Sequence, residues 1–317
     1  MTRKVALALA VIALAAVVLG TAGALTVLYV WPEQFTRLAL ESERRRAALF
    51  RREIELPGRL RYVYLEGGRG EPLMLLHGFG ANKDNFVRVA RFLTSRYRVI
   101  VPDHIGFGES AHPAEADYSP PAQAYRLRAL ADALGIKTIH LGGNSMGGHI
   151  AMTYAALYPT EVASLWLLDP AGVWSAPPGQ LRKIMAATGR NPLLVRTPGD
   201  AARLFTFVMS EPPFVPWFVL DVLAQERIRN AALEEKIFKQ LGDDSVEARV
   251  TGLATPTLIV WGDQDRMLSV ETAGVLHKLM PRSQVIVMRG VGHLPMLERP
   301  RQSADDYLRF RAALAAR

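Results

Sequence analysis

Ser145 lies in the segment Gly143-Asn144-Ser145-Met146-Gly147, between a β-branched, apolar stretch and one rich in Ala, Met, Tyr and Leu. The first stretch, residues 138–141, predicts a strand, and the second, residues 149–158, predicts a helix. A turn this sharp strains the serine backbone and requires glycine on either side. The pattern therefore predicts a nucleophile elbow that exposes the Ser145 hydroxyl and directs the Met146 N–H toward a developing oxyanion.

A histidine and an aspartate follow later strands in the chain order that this serine would need. A serine hydroxyl is a poor nucleophile until an imidazole takes its proton, and a carboxylate must orient that imidazole. Asp265 follows the apolar strand predicted at residues 256–261, and His293 follows the one at residues 283–288. These positions predict a catalytic triad of Ser145, Asp265 and His293.

Two other aspartates compete with Asp265 for the role of the orienting acid. Asp169 stands at the end of the strand predicted at residues 165–168 and is the second candidate. Asp263 is the third candidate, and a simpler role for it is to cap or brace its own turn. The choice among the three stays open at this point.

The second oxyanion donor is predicted upstream, where the apolar strand at residues 73–76 runs into His77-Gly78-Phe79-Gly80. The loop after an early strand can offer the Phe79 N–H beside that of Met146. The other histidines show no paired metal-ligand spacing. We therefore predict that the enzyme needs no metal and no cofactor.

The chain resembles an α/β-hydrolase-fold serine hydrolase over residues 73–300. Segments 77–86, 142–148 and 165–172 are similar to those of bacterial family V lipases and membrane-anchored monoacylglycerol lipases. The histidine segment, residues 292–300, is shared by many branches of the fold. One departure is that relatives often carry proline shortly after the triad aspartate, where this chain has Met267-Leu268-Ser269.

The fold that this resemblance implies agrees with the pattern of the chain. Predicted strands near Tyr62, Met74, Val99, Ile139, Leu165, Ile259 and Ile286 alternate with helical stretches. This alternation favours an α/β fold with a mostly parallel sheet, expected to have eight strands, and helices on both faces. The core is predicted in two parts, residues 59–172 and 255–317.

Residues 173–254 interrupt that alternation and are rich in Pro, Phe, Met and Trp. They predict a helical cap inserted between two core strands. The cap carries more apolar surface than a short insertion can bury on itself. Four of its side chains are candidates to bind substrate, and they are Phe207, Met209, Phe214 and Trp217.

Residues 1–32 are predicted to be a membrane anchor, because residues 5–32 contain no charge and a spanning helix needs about 20 apolar residues. The alternative is a signal peptide that is cleaved near Ala22-Gly23-Ala24 to release a secreted enzyme. Residues 33–58 are predicted to form a basic juxtamembrane linker helix, in which the arginines favour anionic lipid. We expect a periplasmic or extracellular catalytic domain, although the same arginines would fit a cytoplasmic one.

The composition limits the remaining classes of function. The net charge is +8, but no nucleic-acid-binding motif accompanies it, so no nucleic-acid partner is expected. The absence of cysteine excludes disulfides, thiol nucleophiles and cysteine-ligated metals. The predicted partners are a lipid ester and a membrane.

The sequence thus predicts a lipase or esterase that cleaves lipid esters, with monoacylglycerols or other acylglycerols as the leading substrates, through an acyl-enzyme on Ser145. One alternative is a C–C bond hydrolase of ring-fission diketones, because such enzymes share the fold and a similar elbow. A second alternative is a non-catalytic binding protein that keeps the fold.

Overall fold

The structure is a computed structural model that describes residues 3–316 of the 317-residue chain. The first two residues of the predicted anchor and the last residue of the second core segment therefore lie outside the described residues.

The core is a single sheet of eight strands in the order β1-β2-β4-β3-β5-β6-β7-β8. Strand β2 is antiparallel to both β1 and β4, and every other neighbouring pair is parallel. The prediction of a mostly parallel eight-stranded sheet is confirmed. The strands are β1 (Phe50–Leu56), β2 (Leu60–Gly67), β3 (Glu71–Leu76), β4 (Tyr97–Pro102), β5 (Ile139–Asn144), β6 (Val162–Leu168), β7 (Thr257–Gly262) and β8 (Ser283–Met288).

Helices cover both faces of this sheet. Along β3, Met74 and Leu76 belong to one buried cluster, and Leu73 and Leu75 belong to the other. Alternate residues of the strand therefore point into two separate cores. The helices are α1 (Arg3–Val30), α2 (Pro32–Arg46), α3 (Val87–Ala90), α4 (Pro120–Ala133), α5 (Met146–Leu157), α6 (Gln180–Thr188), α7 (Pro198–Val208), α8 (Trp217–Arg229), α9 (Ala231–Gly242), α10 (Glu247–Val250), α11 (Glu271–Leu279), α12 (Pro295–Glu298) and α13 (Pro300–Ala315), with a 3₁₀ turn at Lys83–Phe86.

The predicted linker helix over residues 33–58 is wrong in its second half. Helix α2 ends at Arg46, and residues 50–56 form the edge strand β1, which pairs along its whole length with β2. Most side chains of β1 are exposed and charged, which protects a sheet edge from pairing with other chains. The same charges resemble a solvated helix in the sequence, which explains the error.

Helix α1 contains one stretch, Arg3–Thr21, that is long and apolar enough to cross a membrane by length and composition, with a mean hydropathy of 2.3. The chain continues through Trp31 into α2. Helix α2 packs against the cap helix α8, and the Thr36 hydroxyl donates to the backbone oxygen of Phe218 at 3.5 Å. The N-terminal segment is therefore joined to the cap as well as to the sheet.

Candidate active site

Ser145 stands between the end of β5 and the first residue of α5. Its φ of +53° is in the left-handed region, which is costly for a residue with a side chain. A Cβ at Gly143 would lie 2.3 Å from the Gly147 oxygen, and one at Gly147 would lie 2.1 Å from the Leu76 oxygen. Only glycine fits at these two positions, so the local chain forms the sharp turn that the sequence predicts.

The structure brings His293 and Asp265 together. His293 Nδ1 lies 2.8 Å from Asp265 Oδ2, and these side chains are 3% and 0% exposed. The backbone N–H groups of Met267 and Leu268 donate to the other oxygen of Asp265, Oδ1, at 2.7 and 3.2 Å. Because Nδ1 donates to the carboxylate, Nε2 is the nitrogen left to accept a proton. Nε2 is buried and has no hydrogen-bond partner among the described residues.

The two competing aspartates occupy different positions. Asp263 accepts a 2.7 Å hydrogen bond from the Gly290 N–H and braces the loop that leads to His293. Asp169 lies at the end of β6, where its Oδ1 accepts from the Gly262 N–H at 2.9 Å. Neither side chain is hydrogen-bonded to His293, so the geometry favours Asp265 as the orienting acid.

Asp169 is nevertheless close to the other two groups. One ligand atom from each of Asp169, Asp265 and His293 lies within 4.8 Å of the others, a spacing that could hold a metal ion. The Nδ1 atom of His293 is already engaged with Asp265, so this nitrogen is not free to bind an ion. Burial, followed by the negative charge of Asp265, raises the pKa of Asp169 well above its usual value.

The loop after β3 approaches the elbow closely. A Cβ at Gly78 would lie 3.3 Å from the Ser145 Cβ, so the next residue, Phe79, is beside the serine. The Phe79 N–H donates no hydrogen bond within the part of the chain that the structure describes. Met146 begins α5, where an N–H has no acceptor inside the helix. Both N–H groups that the sequence predicts as oxyanion donors are thus free to bind a ligand.

His77 fixes the shape of this loop. Its Nδ1 lies 2.8 Å from the Gly78 oxygen, and its Nε2 accepts from the His104 N–H at 3.0 Å. These contacts require the neutral ring with the proton on Nδ1. Burial lowers the pKa of His77 to about 4, so the ring stays neutral at physiological pH.

Lys83 is a supporting residue that the sequence analysis missed. Its side chain is 2% exposed, and its ammonium lies 2.7 Å from Asp103 and 2.8 Å from Glu109. Its backbone N–H also donates to Asp103, at 2.7 Å. This network ties the loop after β3 to the loop after β4. A lysine seven residues after the end of an apolar strand carries no sequence pattern that would reveal its burial.

Asn144 and Glu298 were also missed, and both contact the histidine loop. The Asn144 amide donates to the backbone oxygens of Leu168 at 3.0 Å and His293 at 2.9 Å. The Glu298 carboxylate accepts from the Gly292 N–H at 3.0 Å and from the Ser210 N–H at 2.8 Å. Their positions next to Ser145 and within the histidine segment were the only available sequence signals.

Ser145 and His293 line one cavity of about 860 Å³, a size within the range of ligand-binding pockets. Its walls come from the loop after β3, from cap helices α7 and α8, and from α2. Met209, Phe214 and Trp217 are in this lining, as is Phe205, which was not predicted.

The structure places Phe207 differently from the other three predicted cap residues. It is not among the residues that line the cavity, and its ring lies 5.6 Å from the Arg266 guanidinium. It packs in a small apolar cluster with Leu181 and Leu193. The predicted substrate contact of Phe207 is therefore wrong, because this ring is not in the cavity lining. The sequence could not reveal this, since the aromatic pattern of α7 does not indicate which side of the helix faces the cavity.

Comparisons with known proteins find similarity over most of the chain. The model of the alpha/beta hydrolase fold family matches residues 71–300. Lipase 1 of Psychrobacter immobilis is 46% identical over 288 residues, which cover 89% of this chain and 90% of the lipase. Monoacylglycerol lipase ABHD6 of Mus musculus is 31% identical over 80% of each chain. The crystal structure of a membrane phospholipase A, a bacterial virulence factor, matches 95% of this chain and 98% of its own with a TM-score of 0.88 and 40% identity.

Proposed function

This chain belongs to the α/β-hydrolase fold family and is a hydrolase of lipid carboxylic esters, and we propose that it acts through a covalent acyl-enzyme on Ser145. The observation that supports this mechanism best is the buried contact between His293 and Asp265 beside a cavity that also contains Ser145. The Nε2 atom of His293 has no hydrogen-bond partner in the part of the chain that the structure describes and is available as the base.

In the first half of the reaction, Nε2 of His293 removes the Ser145 proton as the hydroxyl oxygen attacks the ester carbonyl. The N–H groups of Phe79 and Met146 donate to the oxyanion that forms. The C–O bond to the alcohol then breaks, and the imidazolium gives its proton to the leaving alcohol. Asp265 stabilises the charged ring while it carries that proton.

In the second half, His293 removes a proton from a water molecule, and the resulting oxygen attacks the acyl carbonyl. The same N–H groups hold the second oxyanion. The bond to Ser145 breaks as the serine recovers its proton from His293, and the fatty acid is released. Each half of the cycle therefore returns the imidazole to its neutral form, and no cofactor takes part.

The substrate that fits this cavity best is an acylglycerol, with monoacylglycerols as the leading candidates. Support comes from the apolar cap side chains Met209, Phe214 and Trp217 in the lining of the cavity and from the similarity to monoacylglycerol lipases. We assign the cap to residues 173–254 and the core to residues 50–172 and 255–317, so that the core includes the edge strand β1.

For the cellular location, we propose that residues 1–32 anchor the enzyme and that the catalytic domain is periplasmic or extracellular. Support comes from the apolar stretch Arg3–Thr21 and from α2, which follows α1 and lines the cavity through Ala39 and Leu40. Carbonate extraction of membranes tests the anchor, because a cleaved signal peptide would leave the enzyme in the soluble fraction. Protease added to intact spheroplasts tests the topology, because only an external domain would be digested.

Hydrolysis of nitrophenyl esters from acetate to palmitate, by wild type and Ser145→Ala, tests the function. We expect the wild type to prefer the longer chains and Ser145→Ala to lose about 10⁴-fold or more in kcat. Turnover of a ring-fission diketone with negligible esterase activity would instead support the C–C bond hydrolase. Ester binding without turnover by the wild type would support a binding protein.

A further inference from the structure

Two carboxyl groups meet behind His293. Asp169 and Asp265 follow the neighbouring parallel strands β6 and β7, which brings their side chains to the same edge of the sheet. Asp265 contacts the imidazole, whereas Asp169 approaches Asp265 from the side of β6. The side chain of Asp265 has no exposed surface, and Asp169 is also fully buried.

Residues 3–316 supply hydrogen-bond donors for only three of these four oxygens. Both oxygens of Asp265 accept, one from His293 and the other from the N–H groups of Met267 and Leu268. Oδ1 of Asp169 accepts from the Gly262 N–H, but Oδ2 is buried without a donor among the described residues. An ionised Asp169 would leave that oxygen unpaired beside another negative charge, which is an unfavourable arrangement in a buried site.

A proton on Asp169 Oδ2 resolves both problems, because the neutral carboxyl then faces the second carboxylate as a donor. Resting on the acyl-enzyme mechanism proposed above, we propose that Asp169 is a positioning residue that stays protonated at neutral pH and donates a hydrogen bond to the Asp265 carboxylate. The pair then carries one negative charge instead of two.

The surroundings of Asp169 favour the neutral form. The charged groups that act on it are the carboxylates of Asp265, after β7, and Glu298, on α12, and the imidazole of His293 lies beside Asp265. Burial and these negative charges raise the pKa of Asp169. The backbone of Asp169 has a φ of +46°, a strained conformation that directs its carboxyl to this position at the end of β6.

This hydrogen bond would act on catalysis through Asp265. It limits rotation of the Asp265 carboxylate and withdraws part of its charge, so it sets how strongly Asp265 stabilises the His293 imidazolium. Loss of the donor should make Asp265 a stronger partner for the charged ring and move the acid limb of the kcat/KM profile to higher pH.

The test compares Asp169→Asn, Asp169→Ala and Asp265→Asn in nitrophenyl ester hydrolysis across pH. Asparagine has the shape of the protonated acid and can donate to Asp265, so Asp169→Asn should lose less than about tenfold in kcat and keep its acid limb in place. Asp169→Ala should lose roughly 10- to 100-fold in kcat, with a smaller change in KM, and its acid limb should rise. Asp265→Asn should lose about 10⁴-fold.

A second measurement reads the proton without activity. The infrared difference spectrum of wild type minus Asp169→Asn at neutral pH should contain the carbonyl stretch of a protonated carboxylic acid, which a carboxylate lacks. The proposal is overturned if that band is absent, or if the acid limb of Asp169→Asn moves to lower pH, since either result means that a negative charge was removed. If the protein hydrolyses no ester, the mechanism fails, but the infrared band still decides the state of Asp169.

Discussion

The side-chain amide of Asn144 donates a 2.9 Å hydrogen bond to the backbone oxygen of His293, which is 149 residues further along the chain. The same amide donates to the Leu168 oxygen at the end of β6. A single buried side chain next to Ser145 therefore holds both β6 and the loop that carries His293.

Asn144→Ala should lower kcat with little change in KM. The substitution removes the Asn144 donor from two backbone oxygens, and each buried polar group left unpaired costs about 1–3 kcal/mol. If that cost appears in the transition state, kcat falls roughly 10- to 100-fold. Steady-state kinetics on a nitrophenyl ester measures it, and a variant with wild-type kcat would show that the histidine loop does not need this bond.

Glu298→Ala should destabilise the fold by about 2–4 kcal/mol, because four backbone N–H groups lose a buried carboxylate acceptor. Two of these N–H groups belong to Ser210 and Glu211 in the cap. Urea unfolding measures the change. Glu235→Ala is the matched control, since Glu235 makes an ion pair with Arg196 in which both side chains are 60% exposed. The control should change stability by less than about 0.5 kcal/mol. Equal effects of the two variants would argue against the bridging role of Glu298.

Arg44→Ala should destabilise the junction between α2 and the loop after β3. Arg44 makes two 2.7 Å contacts with Asp84, and the two side chains are only 10% and 13% exposed. Loss of this bidentate pair should lower the unfolding free energy by about 2–3 kcal/mol. Arg45→Ala is the control, because Arg45 is 76% exposed and 3.7 Å from Glu41. Thermal unfolding separates the two, and similar melting temperatures would contradict the prediction.

Stability should fall as the pH is lowered from about 6.5 to about 4. Burial lowers the pKa of His77 to about 4 in the folded protein. Below the pKa of the unfolded chain, His77 therefore binds a proton in the unfolded state but not in the folded state. The stability that depends on a neutral His77 is fully present above about pH 6.5 and is lost as the pH falls to about 4. His77 alone accounts for roughly 3 kcal/mol of the unfolding free energy. Urea unfolding at several pH values should show this slope, and His77→Asn should reduce it. A flat profile over this range would refute the assignment.

Phe205→Ala should reduce the preference for long acyl chains. Phe205 lines the cavity, and removal of an aromatic wall weakens transition-state contacts with a long chain by about 1–3 kcal/mol while a short ester loses little. The ratio of kcat/KM for palmitate to that for acetate measures the effect. Phe207→Ala removes the same ring from the same helix at a position outside the cavity lining, so its ratio should stay near that of the wild type. An equal change in both variants would mean that the ratio reports damage to the cap rather than chain binding.

The positions of seven of the eight strands and of the elbow could be predicted because each depends on neighbouring residues. Strand β5 is apolar, and the glycines around Ser145 are required by a turn that closes within five residues. Strand β1 could not be found in this way, because its charged residues face solvent at an edge and only its pairing with β2 makes it a strand.

The sequence alone determined the sharp turn at Ser145, the alternation of strands and helices and the types of residue available for catalysis. Local sterics and hydrophobic periodicity depend only on residues that are close together in the chain. Only the tertiary structure decided which aspartate contacts His293, which side of α7 faces the cavity and that Asn144 and Glu298 hold the histidine loop. Those relationships join residues from distant segments. They depend on how the sheet and cap pack in three dimensions, which no short stretch of sequence specifies.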